Sequence, residues 1–198
     1  YVRATVFVAP GTVLIPPNNL YNVANVNVPR DDESSVFYFL AWGDAAATPD
    51  TATWRQFLGQ QVGVDLDERY RPLRNHENRF WQDRQAMKAG NFTGIKGFPN
   101  QDVAMWVTMG KIARRWEERL GASDLAIVEF RRQMVDAARE VRQGKPAIGT
   151  GGQRIPASVC SFQSIIPKTT DWRDFAARPV TRQTPAQQGL DSNYEIKA

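Results

Sequence analysis

The pattern of apolar and polar positions divides the chain into a strand-rich first part and a later part with helical periods. Over residues 3–42 apolar and polar residues alternate, and turn-forming stretches such as Pro10-Gly11 separate the runs. Such alternation between turns is typical of antiparallel strands. The run at 36–42 (VFYFLAW) is apolar on both faces, which predicts a central strand with a helix on one face and a cavity or a second core layer on the other.

The longest helical pattern covers residues 123–142. Its apolar positions recur every three or four residues, at Ile127, Phe130, Met134, Ala137 and Val141. This spacing predicts a helix buried along one side. Shorter helices are predicted over residues 52–61, 81–88 and 101–109, and residues 66–100 otherwise lack a sustained period. The chain is therefore predicted to be α+β, with helices packed across an antiparallel sheet.

The length of 198 residues fits one domain, which we place at residues 1–180. Residues 181–198 are expected to be a disordered tail or an arm around a neighbouring subunit. The chain opens in a strand-like alternation without an initiator Met or a signal peptide. We therefore expect a longer natural protein in which further sequence precedes residue 1.

Charge and cysteine content exclude several classes of protein. The 25 basic and 21 acidic residues are interspersed, and without a basic run we expect no nucleic-acid partner. The chain lacks an apolar run of about 18 residues, so no membrane span is expected. The single cysteine, Cys160, rules out an internal disulfide framework and fits a reducing, cytoplasmic compartment.

Few side chains are candidates for chemistry. His76 is the only histidine, and we interpret it as a loop residue rather than a general base. Cys160 has no histidine neighbour that would activate it. With one histidine the chain alone cannot complete a zinc or iron site. Asp102 opens the predicted, mostly apolar helix at 101–109, and such a carboxylate is either a helix cap or a metal ligand.

The segment around Asp102 also carries a family resemblance. NFTGIKGFPNQDVAMWVTMGKIARRWEERLGASDLAIVEFRRQMVDAA, residues 91–138, resembles the C-terminal catalytic region of the phthalate-dioxygenase-like Rieske non-haem iron oxygenases. The match is ungapped over about 45 residues and extends more weakly over residues 1–175. The matching positions include Phe92-Thr93-Gly94-Ile95, Gly97, Gln101-Asp102, Ala104, Met109-Gly110, Leu120-Gly121, Ser123-Asp124 and Arg131-Arg132.

This resemblance implies a fold, an activity and cofactors. It implies a helix-grip (START/Bet v 1-like) antiparallel sheet packed against the long C-terminal helix, incomplete at the N-terminus. It implies hydroxylation or O-demethylation of an aromatic acid, such as a phthalate- or benzoate-like compound, by O2 at mononuclear Fe(II). Electrons would come from NAD(P)H through a flavin/iron-sulfur reductase and a Rieske [2Fe–2S] cluster. The family also implies a homotrimer or hexamer.

The resemblance makes Asp102 the carboxylate ligand of the iron. The two histidine ligands, a bridging acidic residue and the ligands of the cluster would lie upstream of this chain. Met105 and Trp106 share the helical face of Asp102, so they either lie near the substrate or pack into an ordinary core. Asn100 either orients the carboxylate or is a turn residue at the helix start.

A carboxylated substrate would be recognised by a guanidinium. Arg3 interrupts an apolar strand, so it either faces a cavity and binds the substrate or is an exposed strand residue. Further candidates in the irregular segment are Arg71, Arg74 and Arg79.

The chain departs from the family pattern at Arg114, Lys111 and Val107. Arg114 would lose any ion pair that the family makes there, which puts subunit contacts in doubt. Three alternatives remain beside the oxygenase. The chain could be a degenerate relative without iron, or a helix-grip module that binds an apolar aromatic ligand without redox chemistry. A non-catalytic partner subunit is disfavoured because the surroundings of Asp102 match the catalytic kind.

Overall fold

A computed structural model describes residues 1–16, 21–152, 159 and 161–173. Cys160 and the tail predicted at residues 181–198 lie outside the described residues. The chain groups into two compact units. Among the described residues, the sheet unit comprises 1–16, 21–30, 35–48, 119–152, 159 and 161–173, and the loop–helix unit comprises 31–34 and 49–118.

In the described residues of the sheet unit the strands form two antiparallel sheets. Its strands are β1 (Val2–Ala4), β2 (Val6–Val8), β3 (Thr12–Ile15), β4 (Asn22–Pro29), β5 (Ser35–Trp42) and β6 (Phe162–Ser164). β2, β3, β4 and β5 form a meander in chain order, and β1 pairs with β6. The predicted run of antiparallel strands is confirmed, as is the α+β class.

The prediction that the last strand of the meander is central is wrong. In the described part of the chain β5 pairs with β4 alone, so it is an edge strand. On one of its faces Tyr38 and Leu40 lie opposite Val26 and Ala24, and both remain nearly half exposed. Apolar residues on two faces indicate what packs above and below a strand, and they do not report how many strands flank it.

The long helix is α4 (Leu125–Arg142), which confirms the helical period predicted at residues 123–142. A short 3₁₀ turn, Ala122–Asp124, precedes it, and the Asp124 carboxylate accepts a hydrogen bond from the Gly121 amide at 2.8 Å. The Phe130 ring meets the Phe7 ring of β2 edge-on, with centroids 4.9 Å apart.

The predicted burial of α4 along one side is wrong for the described part of the chain. Ile127, Phe130 and Val141 on its apolar side are 40–48% exposed. An amphipathic period shows which side of a helix is suited to burial, but whether another element covers that side depends on the tertiary structure. On the polar side Arg132 pairs with Glu129 at 2.6 Å and with Asp136 at 3.1 Å.

The loop–helix unit contains three helices, α1 (Thr51–Leu58), α2 (Arg84–Lys88) and α3 (Phe98–Thr108). Asp50 caps α1 by accepting a bond from the Thr53 amide at 2.7 Å, and this bond lowers the pKa of its carboxyl. Gly59 ends α1 in the left-handed conformation. Phe57 of α1 contacts Phe98 of α3 with ring centroids 5.9 Å apart, so aromatic packing joins these two helices.

Residues 66–83 are mostly irregular, as predicted, and Arg74 in this segment forms a buried ion pair with Asp65 just before it. Arg74 donates to the Asp65 carboxylate at 2.8 Å, with both side chains at most 8% exposed. The Arg74 guanidinium also lies 4.7 Å from the centre of the Trp81 ring. Within the described residues, none of the helices is both long and apolar enough to cross a membrane.

Candidate functional site

Helix α3 begins earlier than the sequence predicts, and this moves Asp102 away from the helix start. The helix starts at Phe98 after Gly97, with Pro99 in its first turn. Proline suits the first turn because its missing N–H would have no partner there in any case. Asp102 therefore lies in the second turn, beyond the free amides that a cap satisfies. The interpretation of Asp102 as a helix cap is wrong.

The two sides of α3 differ sharply. On one side Ala104 is 1% exposed and packs with Phe80 and Ile95 in the core of the unit. About 160° around the axis, at about 100° per residue, lies Asp102, which is exposed. The Asp102 carboxylate makes no hydrogen bond or ion pair within the described part of the chain.

Apolar side chains continue the exposed side beyond Asp102. Met105 is 60% exposed and Trp106 is 43% exposed, one turn along the helix. Met109 follows at 48%. The structure therefore places Asp102, Met105 and Trp106 on one face, as their spacing predicts. We call these four residues (Asp102, Met105, Trp106 and Met109, the last directly after the helix) the exposed stripe of α3. For Met105 and Trp106, packing into the core of the described unit is ruled out by their exposure.

A carboxylate without a competing partner fits the role of a metal ligand, because both of its oxygens are available. Among the residues that the structure describes, no three His, Cys, Asp or Glu side chains lie together as a metal site. His76 is exposed and stacks edge-on with Phe80, with ring centroids 5.2 Å apart. The described residues therefore provide Asp102 as a single ligand.

Asn100 is buried, at 4% exposure, and its hydrogen bonds lead away from Asp102. Its Nδ2 donates to the carbonyl oxygens of Gly59 and Lys96, each at 2.9 Å. Its Oδ1 accepts from Gln60 Nε2 at 2.6 Å. Asn100 therefore does not contact the Asp102 carboxylate, and its bonds instead join residues at the start of α3 to residues at the end of α1.

The candidate arginines differ in their partners and in their exposure. Arg74 is occupied by Asp65 and Trp81 in the interior, so it is not available to a substrate. Arg71 and Arg79 are exposed. Arg3 is exposed on β1, opposite Gln163 of β6, in the sheet unit. Binding of a substrate carboxylate by Arg3 stays a prediction.

Two departures from the family pattern lie on the surface of the loop–helix unit. Arg114 pairs with Glu117 at 3.3 Å, and Lys111 pairs with Glu33 at 2.9 Å. All four side chains are at least half exposed, and exposed pairs of this kind contribute little to stability. These substitutions leave Asp102 and its helix intact.

Sequence reasoning missed Gln60 and the two glycines next to Asn100. Gly59 and Gly97 both have positive φ, +66° and +78°, which favours glycine. Gly59 directly follows α1 and Gly97 directly precedes α3. Glycine at both helix ends is the local signal for a close approach of the two backbones. Gln60 carries no such signal, because its partner Asn100 lies 40 residues away.

Comparison with known proteins agrees with the resemblance. A family model described as "LigXa C-terminal domain like" matches residues 1–197. The chain is 65% identical over 196 residues to the phthalate 4,5-dioxygenase oxygenase subunit of Pseudomonas putida, which is 99% of this chain and 45% of that subunit. It is 30% identical over 189 residues to the 3-chlorobenzoate-3,4-dioxygenase oxygenase subunit of Comamonas testosteroni, which is 87% of this chain and 43% of that subunit.

These matches confirm the resemblance to the C-terminal part of phthalate-dioxygenase-like oxygenases. The chain spans less than half the length of either curated relative.

Proposed function

The chain belongs to the LigXa C-terminal-like domain family, and on that premise we propose that it is the C-terminal part of an aromatic-ring oxygenase subunit. The proposed reaction is hydroxylation or O-demethylation of an aromatic acid with O2. The observation that carries this proposal is the 65% identity to a phthalate 4,5-dioxygenase oxygenase subunit over 99% of the chain. The exposed carboxylate of Asp102, which has no partner among the described residues, supports it.

Asp102 is the residue proposed to bind mononuclear Fe(II), together with two histidines from an upstream part of a longer subunit. Iron held by two imidazoles and one carboxylate supplies open positions for the activation of dioxygen. Asp102 contributes a negative charge and a fixed direction of binding from a rigid helix. Because its oxygens have no other partner in the described residues, binding a metal there displaces no existing hydrogen bond.

Met105 and Trp106 are proposed to contact the ring of the substrate. Their exposed side chains lie one helical turn from Asp102, so a planar apolar molecule against them lies close to the carboxylate. Covering this stripe excludes water from the surroundings of Asp102, which strengthens electrostatic interactions there. A substrate carboxylate is proposed to pair with an arginine, and Arg3 is our candidate for that contact.

Several finer features of the proposal follow from the family. They comprise the helix-grip arrangement of the sheet and α4, a Rieske [2Fe–2S] cluster in the upstream part, and electrons from NAD(P)H through a flavin/iron-sulfur reductase. They also comprise a homotrimer or hexamer in the cytoplasm. The identity to two oxygenase subunits supports these features, and the fold class is compatible with them.

The test is Asp102→Ala in the complete oxygenase subunit. We expect loss of the mononuclear iron and of turnover, while the absorption spectrum of the Rieske cluster is unchanged. The measurement is iron content in excess of the cluster, together with product formation from phthalate-like and benzoate-like acids. The control is Asp136→Ala, which removes another helical aspartate, one whose side chain is 46% exposed and pairs with Arg132 and Arg139, and it is expected to keep both iron and turnover.

Retention of iron and activity in Asp102→Ala would overturn the assignment of Asp102. Binding of an aromatic acid by a subunit that holds no mononuclear iron would instead support the ligand-binding module without redox chemistry.

A further inference from the structure

Asn100 uses its whole side-chain amide at the junction of two helices. Both N–H bonds of Nδ2 are donated, to the Gly59 and Lys96 carbonyl oxygens, and Oδ1 accepts from Gln60. Gly59 and Gln60 follow directly after α1, and Lys96 precedes α3. A single buried side chain thus ties the end of α1 to the start of α3.

Two glycines, Gly59 and Gly97, border the Asn100 amide and leave just enough room for it. A Cβ atom at Gly59 would lie 2.8 Å from Nδ2 of Asn100, and one at Gly97 would lie 3.0 Å from the same atom. A Cβ atom at Gly97 would also overlap the Leu58 carbonyl oxygen. The two glycines therefore allow the backbones to approach closely enough for the amide to reach both carbonyls.

Helix α3 has no other side-chain cap. Gly97 precedes it without a side-chain hydrogen bond. In the first turns Gln101 Nε2 donates to Ile95 O at 3.1 Å, and the Phe98 ring packs on Phe57. The core contact of Ala104 with Phe80 and Ile95 also holds α3, while the bonds of Asn100 are the buried polar contacts that fix its first turn against the end of α1.

We propose that Asn100 is a positioning residue for Asp102, which sets the direction of the carboxylate by fixing the first turn of α3 against the end of α1. Asp102 follows two residues later, about 200° around the helix axis, so Asn100 acts through the helix and not by contact. The inference rests on the proposed function of Asp102 as an iron ligand. In this inference the Asn100 amide affects metal binding as well as the stability of the fold.

The experiment measures Fe(II) binding by the complete subunit depleted of mononuclear iron, by anaerobic equilibrium dialysis. Near-infrared magnetic circular dichroism of the bound Fe(II) reports its ligand geometry. In Asn100→Asp the side chain keeps its shape but loses both donated bonds. We expect Fe(II) affinity to fall by about 10- to 100-fold, the range for supporting residues of metal sites, with a changed spectrum.

The matched control is Asn78→Ala in the same unit. The Asn78 side chain donates from Nδ2 to the Leu73 carbonyl oxygen at 2.7 Å and accepts at Oδ1 from the Asn75 backbone N–H at 2.9 Å, so neither bond involves a residue of α3. This variant is expected to lower the Tm but to keep the affinity and spectrum of the wild type. If Asn100→Asp does not fold, Gln60→Leu takes its place, because it removes only the bond to Oδ1, and a smaller loss of affinity is expected.

Wild-type affinity and spectrum in the folded Asn100→Asp variant, or in Gln60→Leu where that variant replaces it, would overturn the inference. Equal losses of affinity in the Asn100 variant and in Asn78→Ala would also overturn it, since the effect would then be general loss of stability. The outcome of Asp102→Ala separates the two proposals. If Asp102→Ala loses iron while the Asn100 variant keeps it, only the positioning role fails. If Asp102→Ala keeps iron, the proposed function fails and the positioning role with it.

Discussion

The loop–helix unit contains two groups of side chains that differ in burial and in hydrogen bonding. The buried group consists of Asp65, Arg74, Asn100 and Ala104. Each of its three polar side chains makes a hydrogen bond, and one atom, Nε of Arg74, has none in the described residues. The exposed stripe of α3 has a carboxylate without a partner in the described residues and three large apolar side chains in contact with solvent. A buried charge requires a partner because desolvation is costly. An unpaired carboxylate beside exposed apolar groups is instead typical of a surface that functions by binding something.

The largest expected effect tests the buried group. Asp65→Ala leaves the Arg74 guanidinium buried without its 2.8 Å partner. Loss of one member of a buried pair costs about 3–5 kcal/mol, so we expect a large fall in the free energy of unfolding, measured by urea denaturation. The comparison is Glu117→Ala, which breaks the exposed pair with Arg114 and should cost at most about 1 kcal/mol. Equal costs for the two variants would show that burial does not distinguish these pairs.

A smaller effect separates the two sides of α3. Ala104→Leu adds volume to a site that is 1% exposed, and overpacking of this kind costs about 1–3 kcal/mol. Met105→Ala truncates a side chain that is 60% exposed and should change the stability of the 198-residue chain by less than about 0.5 kcal/mol.

The same pair of variants tests whether something covers the stripe in the complete subunit. There we expect Met105→Ala to become more costly, because a covered side chain loses packing when it is truncated. An unchanged cost in the complete subunit would indicate that the stripe remains open to solvent.

The smallest expected effect concerns pH and the surface of α4. Hydrogen bonds from Arg132 lower the pKa of Glu129 from 4.5 to about 2. A carboxyl whose pKa is lower in the folded state stabilises it above the unfolded pKa, and this contribution is lost as the pH falls from about 4.5 towards 2. Thermal unfolding at pH 5 and pH 2.5 should therefore show a slightly larger loss of Tm in the wild type than in Glu129→Gln.

Salt should weaken this difference, since the pair is exposed and screened. An equal loss of Tm in both proteins at low salt would contradict the assigned ion pair.

The boundaries of α3 show how far sequence reasoning reaches. The period of the apolar residues predicts a helix over 101–109, which leaves Phe98-Pro99-Asn100 outside it. Proline is equally compatible with a first helical turn, so local chemistry does not decide between the two positions. Packing of Phe98 on Phe57 and the bonds of Asn100 decide the earlier start.

Asp102 shows the opposite case. An acidic residue directly before a nearly continuous apolar run is a candidate for chemistry on sequence alone. The segment around Asp102 carries the resemblance that indicates the family. Its spacing from Met105 and Trp106 was sufficient to place the three residues on one face, since helical geometry is local. That the face is exposed while Ala104 is buried depends on which side of α3 meets Phe80 and Ile95.

The amino-acid sequence by itself determined the antiparallel meander, the period of the long helix and the family to which the chain belongs. These features depend on local alternation, helical spacing and an ungapped match, all of which are properties of neighbouring residues. Only the tertiary structure decided that β5 is an edge strand in the described part, that Arg74 is occupied by Asp65, and that Asn100 fastens α3 to α1. Each of these depends on contacts between residues distant in the chain, whose burial and hydrogen bonding no local pattern encodes.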